Sequence, residues 1–370
     1  MCWLASYGAI IHRMHALVLL ARVFKLVCHL PILLSLVLMA CAPAPRPANP
    51  TAPVPTATMD VQSKILQLKG AIGAHDPVII KADGKYYRFI TGPGIPIGCS
   101  PDLITWIECG RVFNQLPVSI YKAVPKVQEL WAPDISFFKG KYYLYYSGSS
   151  FGSNQSAIAL ATNTTLDSLS KEYKWVDEGV IVQSQPSYSF NAIDPNFVMA
   201  QDGTAWLAFG SYWTGIKLQQ LDPKTGKALP DTQLHALAQR FENNGSIEAS
   251  FIVYRAGYYY LFVSFDFCCQ GVNSTYNIRV GRSKEITGPY IDQSAKKMLA
   301  GGGTLLLDGK KDFRGPGHNA ILIEGEKYYL IYHAYDVKSN GTPLLHIEEL
   351  RWDIDGWPSA PSQSSVTSAP

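Results

Sequence analysis

One arrangement of hydrophobic and polar positions returns five times between residues 75 and 335. A polar, usually acidic opening leads into a short apolar run, then a turn holding Gly or Asp-Gly, then a second run rich in Tyr, Phe and Trp, and a stop at small residues. The first copy opens at His75-Asp76-Pro77, turns at Asp83-Gly84-Lys85, continues as Tyr86-Tyr87 and stops at Thr91-Gly92. The second runs from Ala132-Pro133-Asp134 through Gly140-Lys141-Tyr142-Tyr143 to Ser147-Gly148, and the third from Ile193-Asp194-Pro195 through Asp202-Gly203 and Trp206 to Gly210-Ser211. The last two run from Ile247-Glu248-Ala249 to Gly257-Tyr258-Tyr259-Tyr260, and from His318-Asn319-Ala320 to Gly325-Glu326-Lys327-Tyr328-Tyr329. Short β-branched and aromatic runs bounded by turn residues read as strands. Helical periodicity is nearly absent, with residues 165–172 and 294–299 the only short candidates.

The opening residues Asp76, Asp134, Asp194, Glu248 and His318 stand 58, 60, 54 and 70 positions apart. A repeat of this size built from strands and turns is the signature of sheets arrayed around an axis. The prediction is an all-β, five-bladed β-propeller with a central channel, lined by the first strand of every blade. The five opening residues then converge near one end of that channel. Asp before Pro is also an ordinary strand-entry turn, which covers Asp76 and Asp194, but Glu248 has no Pro after it. Asp134 follows Pro133 out of phase with the others and reads as structural.

Outside the repeat the pattern changes. Arg22 and Lys25 precede a mostly apolar run over residues 26–40, interrupted by His29 and Pro31 and followed by Cys41. A spanning helix needs about 20 apolar residues, so residues 1–41 read as an export signal. Cys41 after Ala40 resembles a lipoprotein processing site, and a start at Met14 would give the charged region a more usual length. Residues 42–58 alternate proline with small residues, which excludes regular structure and offers nothing to bury. They read as a disordered tether, residues 59–358 as one propeller domain, and residues 359–370 as a disordered tail. The expected location is extracellular or at the cell surface, with membrane contact only through a lipid on Cys41.

Composition narrows the function. Aromatic residues make up 12% of the chain, with 21 Tyr and 8 Trp, while charged residues are 16%. That is stacking surface of the kind sugars use. A net charge of +3 with no basic stripe gives no case for nucleic acid. Cys99, Cys109, Cys268 and Cys269 lie in the domain, and their spacing is not that of a structural zinc site. Cys99 and Cys109 could pair across the outer strands of the first blade, while Cys268 and Cys269 could form a vicinal disulfide or stay as buried thiols.

Hydrolysis of a glycosidic bond needs one carboxylate to activate water or attack, and one carboxylic acid to protonate the leaving oxygen. A third acidic group can raise the pKa of the acid and orient it. Asp76, Asp194 and Glu248 supply three carboxyls from different blades. Clustered carboxylates could instead hold calcium, and a binding-only propeller would need aromatics without ionised groups at the axis.

The motifs His75-Asp76-Pro77, Glu129-Leu130-Trp131-Ala132-Pro133-Asp134, Ala192-Ile193-Asp194-Pro195, Ser246-Ile247-Glu248-Ala249, Ser264-Phe265-Asp266-Phe267-Cys268-Cys269 and Arg314-Gly315-Pro316-Gly317-His318-Asn319 together resemble the arabinanases of glycoside hydrolase family 43. The resemblance spans the whole folded region. It implies an inverting hydrolase of α-1,5-linked arabinan, the pectin side chain, with endo action expected. Asp76 would be the general base, Glu248 the general acid, and Asp194 the residue that tunes Glu248. It further implies that Trp131 and Phe151 stack on sugar and that His75, Asn191 and Ser211 line the site. His318 would hold a calcium ion on the axis, largely through waters. The alternatives are an exo-arabinosidase or β-xylosidase of the same family, or a carbohydrate-binding propeller without catalysis. The expected partner is arabinan or an arabino-oligosaccharide, bound by a monomer.

Overall fold

The computed structural model describes residues 65–364. The expected export signal, Cys41 and the tether lie outside the described residues. Five sheets follow one another along the chain. The first holds Val78–Ala82, Lys85–Phe89, Pro96–Ser100 and Thr105–Arg111, and the second Trp131–Phe138, Lys141–Gly148, Ser156–Asn163 and Val176–Ser184. The third holds Asn196–Met199, Ala205–Phe209, Ile216–Leu221 and His235–Ala238, and the fourth Ile247–Arg255, Tyr258–Phe265, Asn277–Ser283 and Thr304–Leu307. Each is an antiparallel meander in chain order, the expected five-bladed propeller.

The fifth blade departs from the pattern, because its own strands number three: Phe313–Glu324, Lys327–Asp336 and Thr342–Glu349. Its open edge is taken by the start of the domain. Leu66 N–H donates to the Ile347 carbonyl (3.0 Å), Ala74 N–H to Pro343 (3.1 Å), and Leu345 N–H to Ile72 (2.8 Å). Within the same segment Lys69–Gly70 pairs with Thr105 and Trp106 of the first blade. One stretch therefore joins the last blade to the first and leaves neither with a bare edge.

Blades pack face to face, so the second strand of a blade is covered on both sides. In Lys141–Gly148 every residue but the first is buried, and all of Ala205–Phe209 is buried. This is why those strands read as unbroken aromatic and apolar runs instead of alternating ones. At the rim, Thr105–Arg111 is mostly exposed.

Two local expectations are corrected. Residues 165–172 form turns, and among the described residues α-helix occurs at Val118–Ala123, which buries Ile120 alone, and at Pro361–Ser364. A helix this short carries too few apolar positions to show a period. The tail is ordered as far as Ser364: Pro358–Ser359 pairs with Arg351–Trp352, and Ser362 donates to the buried Glu348 through its N–H (2.8 Å) and its hydroxyl (2.5 Å). A buried carboxylate needs those donors, and the tail supplies them. Cys99 and Cys109 are joined across the third and fourth strands of the first blade, and Cys268 is joined to Cys269.

Candidate active site

Each blade carries one residue in the left-handed region just before or within its first strand: Asp76 (φ 50), Ala132 (φ 47), Asp194 (φ 59), Ala249 (φ 56) and His318 (φ 47). In the second, fourth and fifth blades the ladder slips at that point, between Trp131 and Asp134, Glu248 and Phe251, and Gly317 and Ala320. Such a bulge turns one amide out of the ladder, and a buried N–H needs a partner. The preceding blade provides it every time. Ala132 N–H donates to Thr91 Oγ1 (2.8 Å), Asp194 N–H to Ser147 Oγ (3.1 Å), His318 N–H to Ser264 Oγ (2.9 Å), and Asp76 N–H to His333 Nδ1 (3.1 Å).

The remaining junction is different. Gly210 occupies the position held by Thr91, Ser147, Ser264 and His333 elsewhere, and a β-carbon on it would sit 2.6 Å from the Gly215 carbonyl oxygen. With no side chain there, the Asp194 carboxylate accepts the Ala249 N–H through Oδ2 (3.0 Å). Asp194 is thereby tied to the backbone beside Glu248. The true phase equivalents are thus Asp76, Ala132, Asp194, Ala249 and His318. Glu248 precedes its equivalent by one residue and Asp134 follows its own by two. Asp134 is buried away from the channel mouth and accepts from Phe197 N–H (2.7 Å) and Asn196 Nδ2 (3.3 Å).

All nine residues singled out from the sequence, His75, Asp76, Trp131, Phe151, Asn191, Asp194, Ser211, Glu248 and His318, line one cavity of about 870 Å³. Trp131 and Phe151 stand at its mouth with ring centroids 5.1 Å apart, and Phe151 is 78% exposed. Asn191 is buried and its Oδ1 has no partner among the described residues, so it is open to a ligand hydroxyl. Ser211 is engaged with protein, donating to Glu248 Oε2 (2.6 Å).

Asp76 is the most heavily partnered of the carboxyls. Oδ2 accepts from Thr91 Oγ1 (2.5 Å) and faces His75 Nδ1 at 2.9 Å, while His318 Nδ1 lies 3.1 Å from Oδ1. Burial alone would raise its pKa, but the imidazoles of His318 and His75 hold it below the ordinary carboxyl value. It is ionised at neutral pH. Burial likewise opposes a charge on His75, yet the Asp76 carboxylate and its hydrogen bond, with Glu248 and Glu129, leave that pKa raised.

Glu248 and Asp194 behave in the opposite way. Burial and the Glu248 charge push Asp194 well above the ordinary value. Burial and the Asp76 charge also raise Glu248, against hydrogen bonds from Ser211 and from Tyr276, whose hydroxyl donates to Oε1 at 2.7 Å. Two buried carboxyls under mutual repulsion retain a proton between them. The site therefore favours charge on Asp76 and a shared proton within the Asp194–Glu248 pair.

Sequence reasoning missed Thr91, Tyr276, His333 and Tyr335. These come from second strands and from the approach to a third strand, where the sequence shows only packing residues. Gly317 was a readable signal: a β-carbon there would sit 2.0 Å from Tyr276 Cδ1, so the glycine exists to seat that ring.

A calcium ion at His318 can be tested against its surroundings. Burial lowers the His318 pKa against the pull of the Asp76 carboxylate; in the neutral form, facing lone pairs at 3.1 Å from Asp76 would repel, which places the proton on Nδ1. Nε2 is then free to ligate, with a carboxylate behind the imidazole as in metal sites generally. Neighbouring Asn319 is buried, and neither of its carboxamide atoms has a partner among the described residues, nor does Ser250 Oγ at the same phase of the fourth blade. One imidazole with neutral oxygens is no dry cage for an ion that takes six to eight oxygens. It does fit a largely hydrated ion.

A propeller cavity that combines three buried carboxyls from different blades with aromatic rings at its mouth is built as a glycoside hydrolase. The profile described as Glycosyl hydrolases family 43 matches residues 71–358, and the chain belongs to that family. It is 48% identical over 291 residues to an extracellular endo-α-(1→5)-L-arabinanase of Bacillus subtilis, covering 77% of this chain and 87% of the relative. It is 40% identical over 298 residues to an extracellular exo-α-(1→5)-L-arabinofuranosidase of Cellvibrio japonicus, covering 78% and 86%. Among solved structures it resembles the Cellvibrio cellulosa α-L-arabinanase complexed with arabinohexaose, with a TM-score of 0.76 at 38% identity over 80% of this chain and 98% of that one.

Proposed function

We infer that this protein hydrolyses α-1,5-L-arabinofuranosidic linkages within arabinan, by endo action and with inversion at the anomeric carbon. The observation that carries the reading is the convergence of Asp76, Asp194 and Glu248 from three blades on one cavity, where the surroundings favour charge on Asp76 and a proton on the Asp194–Glu248 pair. Ionised Asp76 takes a proton from a water, whose oxygen attacks the anomeric carbon. Glu248 gives its proton to the leaving glycosidic oxygen on the other side, so the C–O bond breaks without a charged leaving group. Asp194, fixed by the Ala249 amide, shares a proton with Glu248: while Asp194 is ionised its charge holds that proton on Glu248, and its bond to Ala249 N–H fixes the backbone beside Glu248. Trp131 and Phe151 stack on sugar rings, Asn191 accepts a sugar hydroxyl, and Ser211 acts through Glu248. His318, with Asn319 beside it, would hold a hydrated calcium ion, which when bound supplies positive potential near Asp76.

Endo action is favoured by the relative at 48% identity. Export is favoured by the apolar leader and by the extracellular relatives, and Cys41 with its proline tether fits a lipid anchor on the outer face of a membrane. One chain supplies every site residue, so a monomer suffices. Products released from debranched arabinan test the reading: a ladder of oligomers is expected. A single short product from the first time point would make the enzyme exo-acting, and no product would make the propeller a binding module.

A further inference from the structure

We propose that Tyr335 and the Cys268–Cys269 disulfide are positioning elements for Asp76, acting through His75, and that reducing this disulfide releases them. The proposal rests on the reading of Asp76 as the base. Cys268 and Cys269 lie in the loop after the second strand of the fourth blade and form part of the cavity wall. From there Cys269 N–H donates to Tyr335 Oη at 2.8 Å, on the second strand of the fifth blade. Tyr335 Oη stands 3.0 Å from His75 Nε2, and His75 Nδ1 stands 2.9 Å from Asp76 Oδ2. Three blades are thus linked in one line that ends on the carboxylate.

The line survives either protonation state of His75. A neutral imidazole with its proton on Nδ1 accepts the Tyr335 hydroxyl proton at Nε2, whereas an imidazolium donates to the same oxygen. What the Cys269 amide fixes is the position of that oxygen. His75 has little room besides, because its ring is stacked on His333 with centroids 4.2 Å apart and Cys269 Sγ lies 3.8 Å from Nε2.

Cys269 has φ 65, in the left-handed region that a residue with a β-carbon avoids. The covalent link to its neighbour confines it there. A dithiol such as dithiothreitol would cleave the link, giving two protein thiols and one cyclic disulfide of the reagent, with two electrons and two protons passing to Cys268 and Cys269. Cys269 is then free to leave the left-handed region, and the Cys268–Cys269 peptide that carries its N–H is free to turn away from Tyr335.

The test uses the full chain carrying Cys99→Ala and Cys109→Ala, so that dithiothreitol acts on the vicinal pair, with reduction followed by mass spectrometry of alkylated peptides. Reduction should lower kcat on linear arabinan by roughly ten- to a hundredfold, the scale of a misplaced catalytic group, with KM nearly unchanged. Tyr335→Phe should cause a similar loss, and reducing that variant should cause no further one. If the double alanine background does not fold, Cys268→Ser with Cys269→Ser in the otherwise native chain should reproduce the reduced kcat. Multiplying losses, a rise in KM alone, or full activity after complete reduction would each overturn the positioning role. Asp76→Asn separates the two readings: full activity there refutes the base itself, while a dead variant alongside uncoupled Tyr335 and disulfide effects refutes this proposal only.

Discussion

Replacing Tyr276 by Phe removes one hydroxyl and tests the proton held at Glu248. The ring is buried at 1% exposure against Gly317, and phenylalanine fills the same space. The hydroxyl donates to Glu248 Oε1 at 2.7 Å. A hydrogen bond to a charged group is worth about 1.5–3 kcal/mol and one to a neutral group about 0.5–1.5 kcal/mol. The bond therefore favours the ionised form of Glu248 by roughly 1–1.5 kcal/mol, which is about one pKa unit. Without it the Glu248 pKa rises further. A general acid works only while protonated, so the descending alkaline limb of kcat/KM against pH should move up by about one unit. Asp194→Asn should move the same limb the other way, because loss of a neighbouring negative charge lowers the Glu248 pKa, and it should also cut activity severely. Initial rates of reducing-end release from linear arabinan, taken across the pH range on the free enzyme, give both limbs. An unmoved or downward limb for Tyr276→Phe, or an upward one for Asp194→Asn, would refute the assignment of the proton to Glu248.

Glu248→Ala should abolish cleavage of arabinan yet keep much more activity on an aryl arabinoside, whose leaving group needs little protonation, whereas Asp76→Ala should lose both; retention of aryl activity by the Asp76 variant instead would reverse the roles. Gly317→Ala should destabilise the fold by about 1–3 kcal/mol through overpacking against Tyr276, read by denaturant unfolding, and should move the alkaline limb in the same direction as Tyr276→Phe. Exhaustive chelation should lower the melting temperature and His318→Ala should mimic it, since an ion at a hundredfold excess over its Kd stabilises by about 2.7 kcal/mol; an unchanged melting curve with no metal by elemental analysis argues against the ion. Cys41→Ser should move the protein from the membrane fraction to the medium or leave it unprocessed, and retention after cleavage elsewhere excludes the anchor.

The blade count and the three carboxyls were legible in the chain alone because strand period, turn chemistry and strand-entry motifs are local properties. Asp76 and Asp194 sit in Asp-Pro steps and Glu248 opens an aromatic hairpin, each readable within a dozen residues. The exact alignment of the repeats was not legible. The left-handed residue that sets it is Asp in two blades, Ala in two and His in one, so no side chain marks it, and Glu248 was read as an equivalent that the backbone does not make it. Nor could local pattern reveal that the fifth blade borrows residues 65–74, a contact that joins opposite ends of the domain, or that the tail turns back onto Glu348, whose burial depends on the packed blade. The partners that set the charge of the site were hidden for the same reason. Thr91, Tyr276, His333 and Tyr335 look like ordinary packing residues in their own strands, and Tyr335 meets His75 across 260 positions of sequence. Sequence places carboxyls at strand entries; only closure of the ring, which buries them among one another's charges and donors, decides which is ionised and which keeps its proton.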